Sequence, residues 1–329
     1  MSKILCSART VVLRWSHGPP RPRAPRAHPR SRRGLPAPRR SRLRAPPRAR
    51  AHPRRRARAR ARPRPGPHDG AGLAELLELD ALVFAGLLDE AVAVAVGHAP
   101  APTHAVVDLG AGTGTGTRAL ARAFPEAEIV AVDADAAMLD RLRARLAGTG
   151  LADRVRTVEA DLDAGWPPVG AADVVWASAS LHHVADPARV LHDARDALAP
   201  GGLLVVVEMT ATSPVLPDGA DHADLTARLE RAMAHAGWNR YPDWTPYLTD
   251  AGLEVVDRRE PTAVVPPGPE TSRWAHATAL RQREHLADRL EPADLAALDA
   301  VLAATAPGTT DHTVRARGGR VVWAARRPR

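Results

Sequence analysis

Val106-Val107-Asp108-Leu109-Gly110-Ala111-Gly112-Thr113-Gly114-Thr115-Gly116 is the stretch that decides the fold. Its first half, entered from Ala105, is a short apolar run that reads as a buried strand. Its second half places a glycine at every other position, just ahead of a helical segment, Arg118 to Phe124, in which Leu120 and Phe124 stand four apart. Glycines at a strand-to-helix turn permit tight turning and let a ligand approach backbone N–H groups at the helix start. A dinucleotide loop would read G-x-G-x-x-G, or end on Ala. From Gly110 or Gly112 the sixth position is Thr115 or Thr117. The register from Gly114 does end on Ala119, but it begins too far beyond the strand. The loop is instead G-x-G-x-G led by Asp108, and an acid at the strand tip suits a cationic ligand group and repels a pyrophosphate.

Downstream, short apolar runs alternate with helical ones. Ile129 to Val132 is a second strand, and Ala136 to Leu146 a helix with Met138, Leu139, Leu142 and Leu146 on one face. Val155 to Val158 is a third strand and Asp173 to Trp176 a fourth. Asp186-Pro187 supplies an N-cap and first-turn proline for a helix that stops at Pro200-Gly201-Gly202, and Leu203 to Val207 is a fifth strand. This alternation predicts an α/β fold with a doubly wound, mostly parallel sheet, and fully apolar strands suit one covered on both faces.

Flanking regions are less regular. Residues 72–97 are dense in leucine and valine, which predicts one or two helices ahead of the core. After the fifth strand come helices around 225–236 and 246–251, a strand at Leu253 to Val256, and a helical stretch from Arg273 to Leu302 restarted at Pro292. The C-terminus reads as a hairpin, Thr313 to Arg317 and Arg320 to Ala325, with Gly318-Gly319 as its two-residue turn.

The second strand ends at Asp133, 23 residues after Gly110, where a carboxylate can accept hydrogen bonds from both hydroxyls of a ribose. Ala160-Asp161-Leu162 follows the third strand, and a carboxylate there can take the amino group of an adenine. Acids at three successive strand tips line the sheet edge at which ligands bind in such folds.

With these residues the sequence resembles the class I S-adenosylmethionine-dependent methyltransferases of small-molecule type, from about Leu73 to the C-terminus. The most specific pieces are Val106 to Gly114, Val130-Ala131-Val132-Asp133, Ala160-Asp161-Leu162 and Leu198-Ala199-Pro200-Gly201-Gly202. The resemblance implies a Rossmann-like sheet of seven strands, the last antiparallel and supplied by Val321-Val322-Trp323, with S-adenosyl-L-methionine as cofactor. It implies that Asp108, Gly110, Ala111, Gly112 and Gly114 cradle the methionine end. Asp133 and Ala134 would hold the ribose, Met138 would pack near the adenine, and Asp161, Leu162 and Ala177 would complete the cofactor site. The expected organisation is an Arg/Pro-rich disordered segment over 1–68, a helical cap over 69–103 and a methyltransferase domain over 104–329. Within the last lie a nucleotide-binding core (104–208), an acceptor-side region (209–312) and a terminal hairpin (313–326).

Methyl transfer from a sulfonium needs alignment and exclusion of water, and an alcohol or phenol acceptor also needs a base. The fourth strand's tip reads Ser178-Ala179-Ser180-Leu181-His182-His183. His182 and His183 are the candidate base or acceptor-positioning groups, since imidazole titrates near neutrality. Two adjacent histidines without a third ligand do not make a metal site, and none is expected. Trp238, Tyr241, Trp244, Tyr247 and Trp274 could wall an apolar acceptor pocket.

Charge is divided unevenly. The net charge is +9, yet residues 1–68 hold 22 of the 46 basic side chains and no acid. The remaining 261 residues are therefore acidic, with 24 basic groups against 37 acids. The prefix has 13 of the 31 prolines, too little apolar surface to fold, and admits several readings: an arm for nucleic acid or anionic membrane, a transit peptide, or translated upstream DNA. The last is favoured, because 45 arginines against one lysine point to a GC-rich genome in which a start assigned too early yields such a run. No stretch is apolar enough to span a bilayer, and the single cysteine, Cys6, lies in the prefix, so a cytoplasmic setting is expected. The acidic body, the lack of a cysteine nucleophile and the lack of an Asn/Asp-Pro-Pro-aromatic motif after the fourth strand favour a small-molecule acceptor over nucleic acid. An RNA methyltransferase or RNA-binding protein using the prefix, and a nonenzymatic S-adenosylmethionine-binding regulator, are the alternatives. A nicotinamide dehydrogenase is disfavoured by the loop spacing.

Overall fold

A computed structural model of the chain describes residues 69–210, 215, 223–238 and 241–329. The segment 1–68 expected to be disordered lies outside the described residues. Two helices, α1 (Asp69–Val83) and α2 (Ala85–His98), lead into β1 (Ala105–Leu109), α3 (Thr115–Ala123), β2 (Glu128–Asp133), α4 (Ala136–Leu146), β3 (Val155–Glu159), β4 (Ala172–Ser178), α5 (Pro187–Ala197) and β5 (Leu198–Met209). Then follow α6 (Ala223–His235), α7 (Thr245–Asp250), β6 (Glu254–Arg259), β7 (Thr262–Val265), α8 (Pro269–His285), α9 (Pro292–Ala304) and β8 (Ala316–Arg326). The main sheet runs β3-β2-β1-β4-β5-β8-β6. Its first five strands are parallel, and β8 is antiparallel to both β5 and β6. The seven-stranded, doubly wound sheet with an antiparallel last strand is thus present, and β7 adds an eighth strand against β8.

The alternation of side chains along each strand divides the interior into two layers. Val107, Leu109, Val175, Ala177, Leu204 and Val206 face α5 and α7, with Trp244 and Leu248 packed on them. Val106, Ile129, Val174, Trp176, Leu203 and Val205 face the other way, against α2 and α3. Local signals set the helix ends. Asp135 caps α4 by accepting from Ala137 N–H, and Asp186 caps α5 ahead of Pro187. At the far end of α3 the Arg154 guanidinium donates to the carbonyls of Ala121, Phe124 and Ala127, where a cation also meets the negative end of the helix dipole. Asp173 takes the N–H groups of His104 and Ala105, tying the entry of β1 to β4.

Two expectations need correction. The segment 69–103 is not one cap: Ala91, Val94 and Ala95 of α2 are buried in the sheet layer, whereas Leu79 and Val83 of α1 pack with Trp274 of α8. The terminal hairpin over 313–326 does not form either. β8 runs unbroken through Gly318 and Gly319, and its partner beyond the sheet is β7. A two-residue turn of the hairpin type needs positive φ, and neither glycine has it. They are small because other groups come close. A β-carbon at Gly318 would stand 2.8 Å from the Phe84 ring, and one at Gly319 would stand 2.8 Å from Thr210 Oγ1. Gly318→Ala should therefore lower stability by about 1–3 kcal/mol through overpacking. A paired Gly318→Ala, Phe84→Leu variant should recover part of that loss in urea melts, which a turn glycine would not allow.

Candidate active site

The chain leaves β1 toward β2 on one side and returns to β4 on the other, which opens a crevice at the carboxyl ends of β1 and β4. The glycine loop fills the floor of this crevice and is tied to β2. Gly110 and Ala111 both donate to the carbonyl of Val132, at 2.8 and 2.9 Å, and Gly112 N–H donates to Asp133 Oδ2 at 2.8 Å. Gly110, Gly112 and Gly114 all have positive φ. A β-carbon at Gly110 would collide with Ser180, and one at Gly114 with Leu142 of α4. At Gly112 nothing stands within 4 Å, so the space above the middle glycine is open. The three glycines thus have different reasons to be small.

Asp108 lies beneath the loop, 2% exposed, and Thr117 Oγ1 donates to it at 2.6 Å. Burial pushes its carboxyl up to about 7; the Thr117 bond opposes this, and the nearby Asp133 charge adds to it. Asp133 is held open: Oδ2 accepts from Gly112 and Oδ1 from Asp135 N–H at 2.9 Å, and each oxygen keeps a further lone pair. Met138 is buried in the first turn of α4, while Ala134 is exposed beside it. Ala160 N–H donates to Asp133 O, which brings Asp161 and Leu162 next to the β2 tip. Asp161 is exposed, and its carboxylate accepts from Asp163 N–H. Ala177 is buried in β4. The structure therefore gathers Asp108, the glycines, Asp133 and the 160–162 segment along one edge, as their spacing requires.

The post-β4 segment meets the loop from the other side. Ala179 has φ of 50°, uncommon for a residue with a side chain, and its N–H is held by Val207 O at 2.8 Å. This bend puts Ser180 against Gly110 and starts a short 3-10 turn, Leu181–His183. Ser180 Oγ and Thr115 Oγ1 are both buried at the loop with no hydrogen-bond partner among the described residues. His182 is part-buried and bonds Glu208, while His183 is exposed and packs on the His182 ring at 3.9 Å. The expected aromatic wall does not assemble. Trp244 and Trp274 lie in different apolar clusters, and Trp238 pairs with His285. Of these five, Tyr241 has its ring against that of His182, edge-on at 5.0 Å. Aromatic residues spread over several elements packed into several cores.

Sequence reading missed Ser180, Thr117 and Glu208. For Glu208 a signal existed: it is the lone acid ending an apolar strand, as Asp108 and Asp133 mark theirs.

Two sets of variants test this geometry. Gly110→Ala and Gly114→Ala should each cost about 1–2 kcal/mol for the left-handed backbone and a further ~1–3 kcal/mol for the collision. Gly112→Ala should cost only the backbone part. For Asp108, an unfolded carboxyl near 3.8 and a folded one near 7 mean that folding takes up a proton between those values. Wild-type stability should therefore fall as pH rises through this window, with the loss complete above about 7. Urea midpoints should show the stability difference moving in favour of Asp108→Asn from pH 4 to pH 8, by on the order of a few kcal/mol.

Comparison with known proteins agrees with this edge of the sheet. Residues 107–204 match the family model described as "Methyltransferase domain". Among curated proteins, a trans-aconitate 2-methyltransferase of Methylobacterium radiotolerans is 38% identical over 118 residues, covering 36% of this chain and 39% of that protein. One from Acidovorax sp. is 42% identical over 87 residues, covering 26% of this chain and 31% of that protein. The chain thus spans under two fifths of the length of these relatives. Of solved structures, the YcgJ protein of Bacillus subtilis superposes with a TM-score of 0.47 at 14% identity, over 73% of this chain and 99% of that one, a loose likeness from which no function follows. The matched segment contains the glycine loop, both acids tied to it and the strained turn after β4, so it is over residues 107–204 that this chain is similar to a methyltransferase domain.

Proposed function

We propose that this chain transfers a methyl group from S-adenosylmethionine to a small-molecule acceptor, with residues 104–208 holding the cofactor and 209–312 covering the acceptor. The observation that carries the reading is the clasp between the glycine loop and Asp133, which leaves a carboxylate with spare lone pairs beside an open left-handed glycine. The loop fits the cofactor's polar end. Ser180 Oγ and Thr115 Oγ1 are buried hydroxyls with no hydrogen-bond partner among the described residues, and Asp108 lies beneath the loop. Asp133 and Ala134 would take the ribose, Met138 the adenine face, Asp161 and Leu162 the adenine edge, and Ala177 the floor. When bound, the cofactor supplies an electrophilic methyl whose departure leaves a neutral thioether. The protein's own work is to align the acceptor and exclude water. The names of the curated relatives, which give a small organic acid as acceptor, support the small-molecule part alone. His182 and His183 would stand on the acceptor side.

Calorimetric titration of the full chain tests the reading. S-adenosylmethionine and S-adenosylhomocysteine should bind, NAD should not, and Asp133→Ala should weaken binding by about 100-fold or more, the loss of two hydrogen bonds to a charged group. Binding of NAD alone, or of nothing by a folded sample, would overturn it.

A further inference from the structure

Under the two histidines lies a carboxylate that cofactor binding does not use. Glu208 sits near the end of β5, after the apolar run Leu203–Val207, and is fully buried. It shares a strand face with Leu204 and Val206, the face packed with Leu181 and Trp244. A carboxylate in such surroundings is costly unless paired. Its Oε2 lies 2.7 Å from His182 Nδ1, and its Oε1 has no hydrogen-bond partner among the described residues. The His182 ring is further confined by His183 on one side and Tyr241 on another. Nε2 makes no hydrogen bond among the described residues.

An ionised carboxylate only accepts, so a ring bonded to it carries its proton on Nδ1 and keeps Nε2 as an acceptor. The turn that bears His182 begins at Ser180, which packs on the glycine loop, so the ring belongs to the side from which an acceptor would arrive. We propose that Glu208 is a positioning residue that fixes His182 as a proton acceptor, and that the methyl acceptor is accordingly a hydroxyl compound, an alcohol or a phenol. The inference rests on the methyltransferase reading above. In the step, the hydroxyl proton passes to His182 Nε2. The electron pair left on oxygen forms the bond to the methyl carbon, and the pair of the breaking carbon–sulfur bond stays on sulfur. The imidazolium so formed is balanced by Glu208. A carboxylate acceptor needs no base and calls for cations instead; a buried acid with an unpaired oxygen behind the base disfavours it.

Two measurements on the full chain decide the two halves. Long-range ¹⁵N–¹H spectra of histidine-labelled protein, with His182 assigned by its loss in His182→Gln, should show the Nδ1–H form in wild type and a mixed or Nε2–H form in Glu208→Gln. An Nε2–H ring in wild type would overturn the positioning role, whether or not cofactor binds. For the acceptor, methyl-tritiated S-adenosylmethionine is incubated with enzyme and the small-molecule fraction of a bacterial extract. Label should enter products that resist alkali and release the methyl to boron tribromide, as ethers do. Alkali-labile label, label in N-methyl groups, or no labelled product would overturn the hydroxyl assignment. In Glu208→Gln the turnover of the labelled product should fall about 100-fold or more, with acceptor KM little changed and S-adenosylhomocysteine affinity intact by calorimetry. Equal turnover in Glu208→Gln would reduce Glu208 to a packing role. Failure of wild type to bind S-adenosylhomocysteine would remove the underlying reading and the acceptor assignment with it, while the tautomer result would still stand or fall by itself.

Discussion

Everything at the site depends on how the glycine loop is pinned to β2. Two consecutive N–H groups, of Gly110 and Ala111, converge on one carbonyl, that of Val132, and the next N–H after Ala111 goes to the side chain of the following residue, Asp133. The loop can reach that strand only by turning sharply, which is why Gly110, Gly112 and Gly114 lie in the left-handed region. Once pinned, it fixes where α3 begins, where Asp133 points and how close Ser180 can approach. The same contacts therefore set the backbone geometry and the shape of the crevice.

This arrangement carries an internal cost. Asp108 is held out of water at the centre of the sheet, bonded by the hydroxyl and the backbone N–H of Thr117, and Asp133 adds like charge nearby. Neither neighbour favours its ionised form enough to offset burial. A fold selected for stability alone would place an apolar residue or an amide there. An acid kept where burial disfavours its charge, at the floor of a crevice, is what a role in binding a cationic group predicts.

How much of this the sequence revealed follows from the range of the interactions. The loop, the caps at Asp135 and Asp186 and the alternation of strands and helices are local patterns, and each appears where its spacing placed it. The antiparallel last strand could be expected only through the resemblance to a family. Gly318-Gly319 misled because a glycine pair has two physical uses, positive φ and close approach, and only the distant Phe84 and Thr210 tell them apart. The aromatic residues misled in the same way: their number is visible in sequence, but the elements they pack against are not.

The acceptor half is less legible for a related reason. The proposed cofactor contacts come from strand tips that follow one another in the chain, within the span that matches a methyltransferase domain. The proposed acceptor side is assembled across the fold: His182 follows β4, Glu208 lies near the end of β5 and Tyr241 precedes α7, joined by tertiary contacts. Residues that must hold a common cofactor are confined by its shape, whereas those around the acceptor vary with its chemistry. The family match accordingly spans residues 107–204, where the cofactor would be held. A relative's acceptor therefore does not transfer with its cofactor loop, and under the proposed reading it is the buried acid and imidazole of this chain that select the acceptor's chemistry.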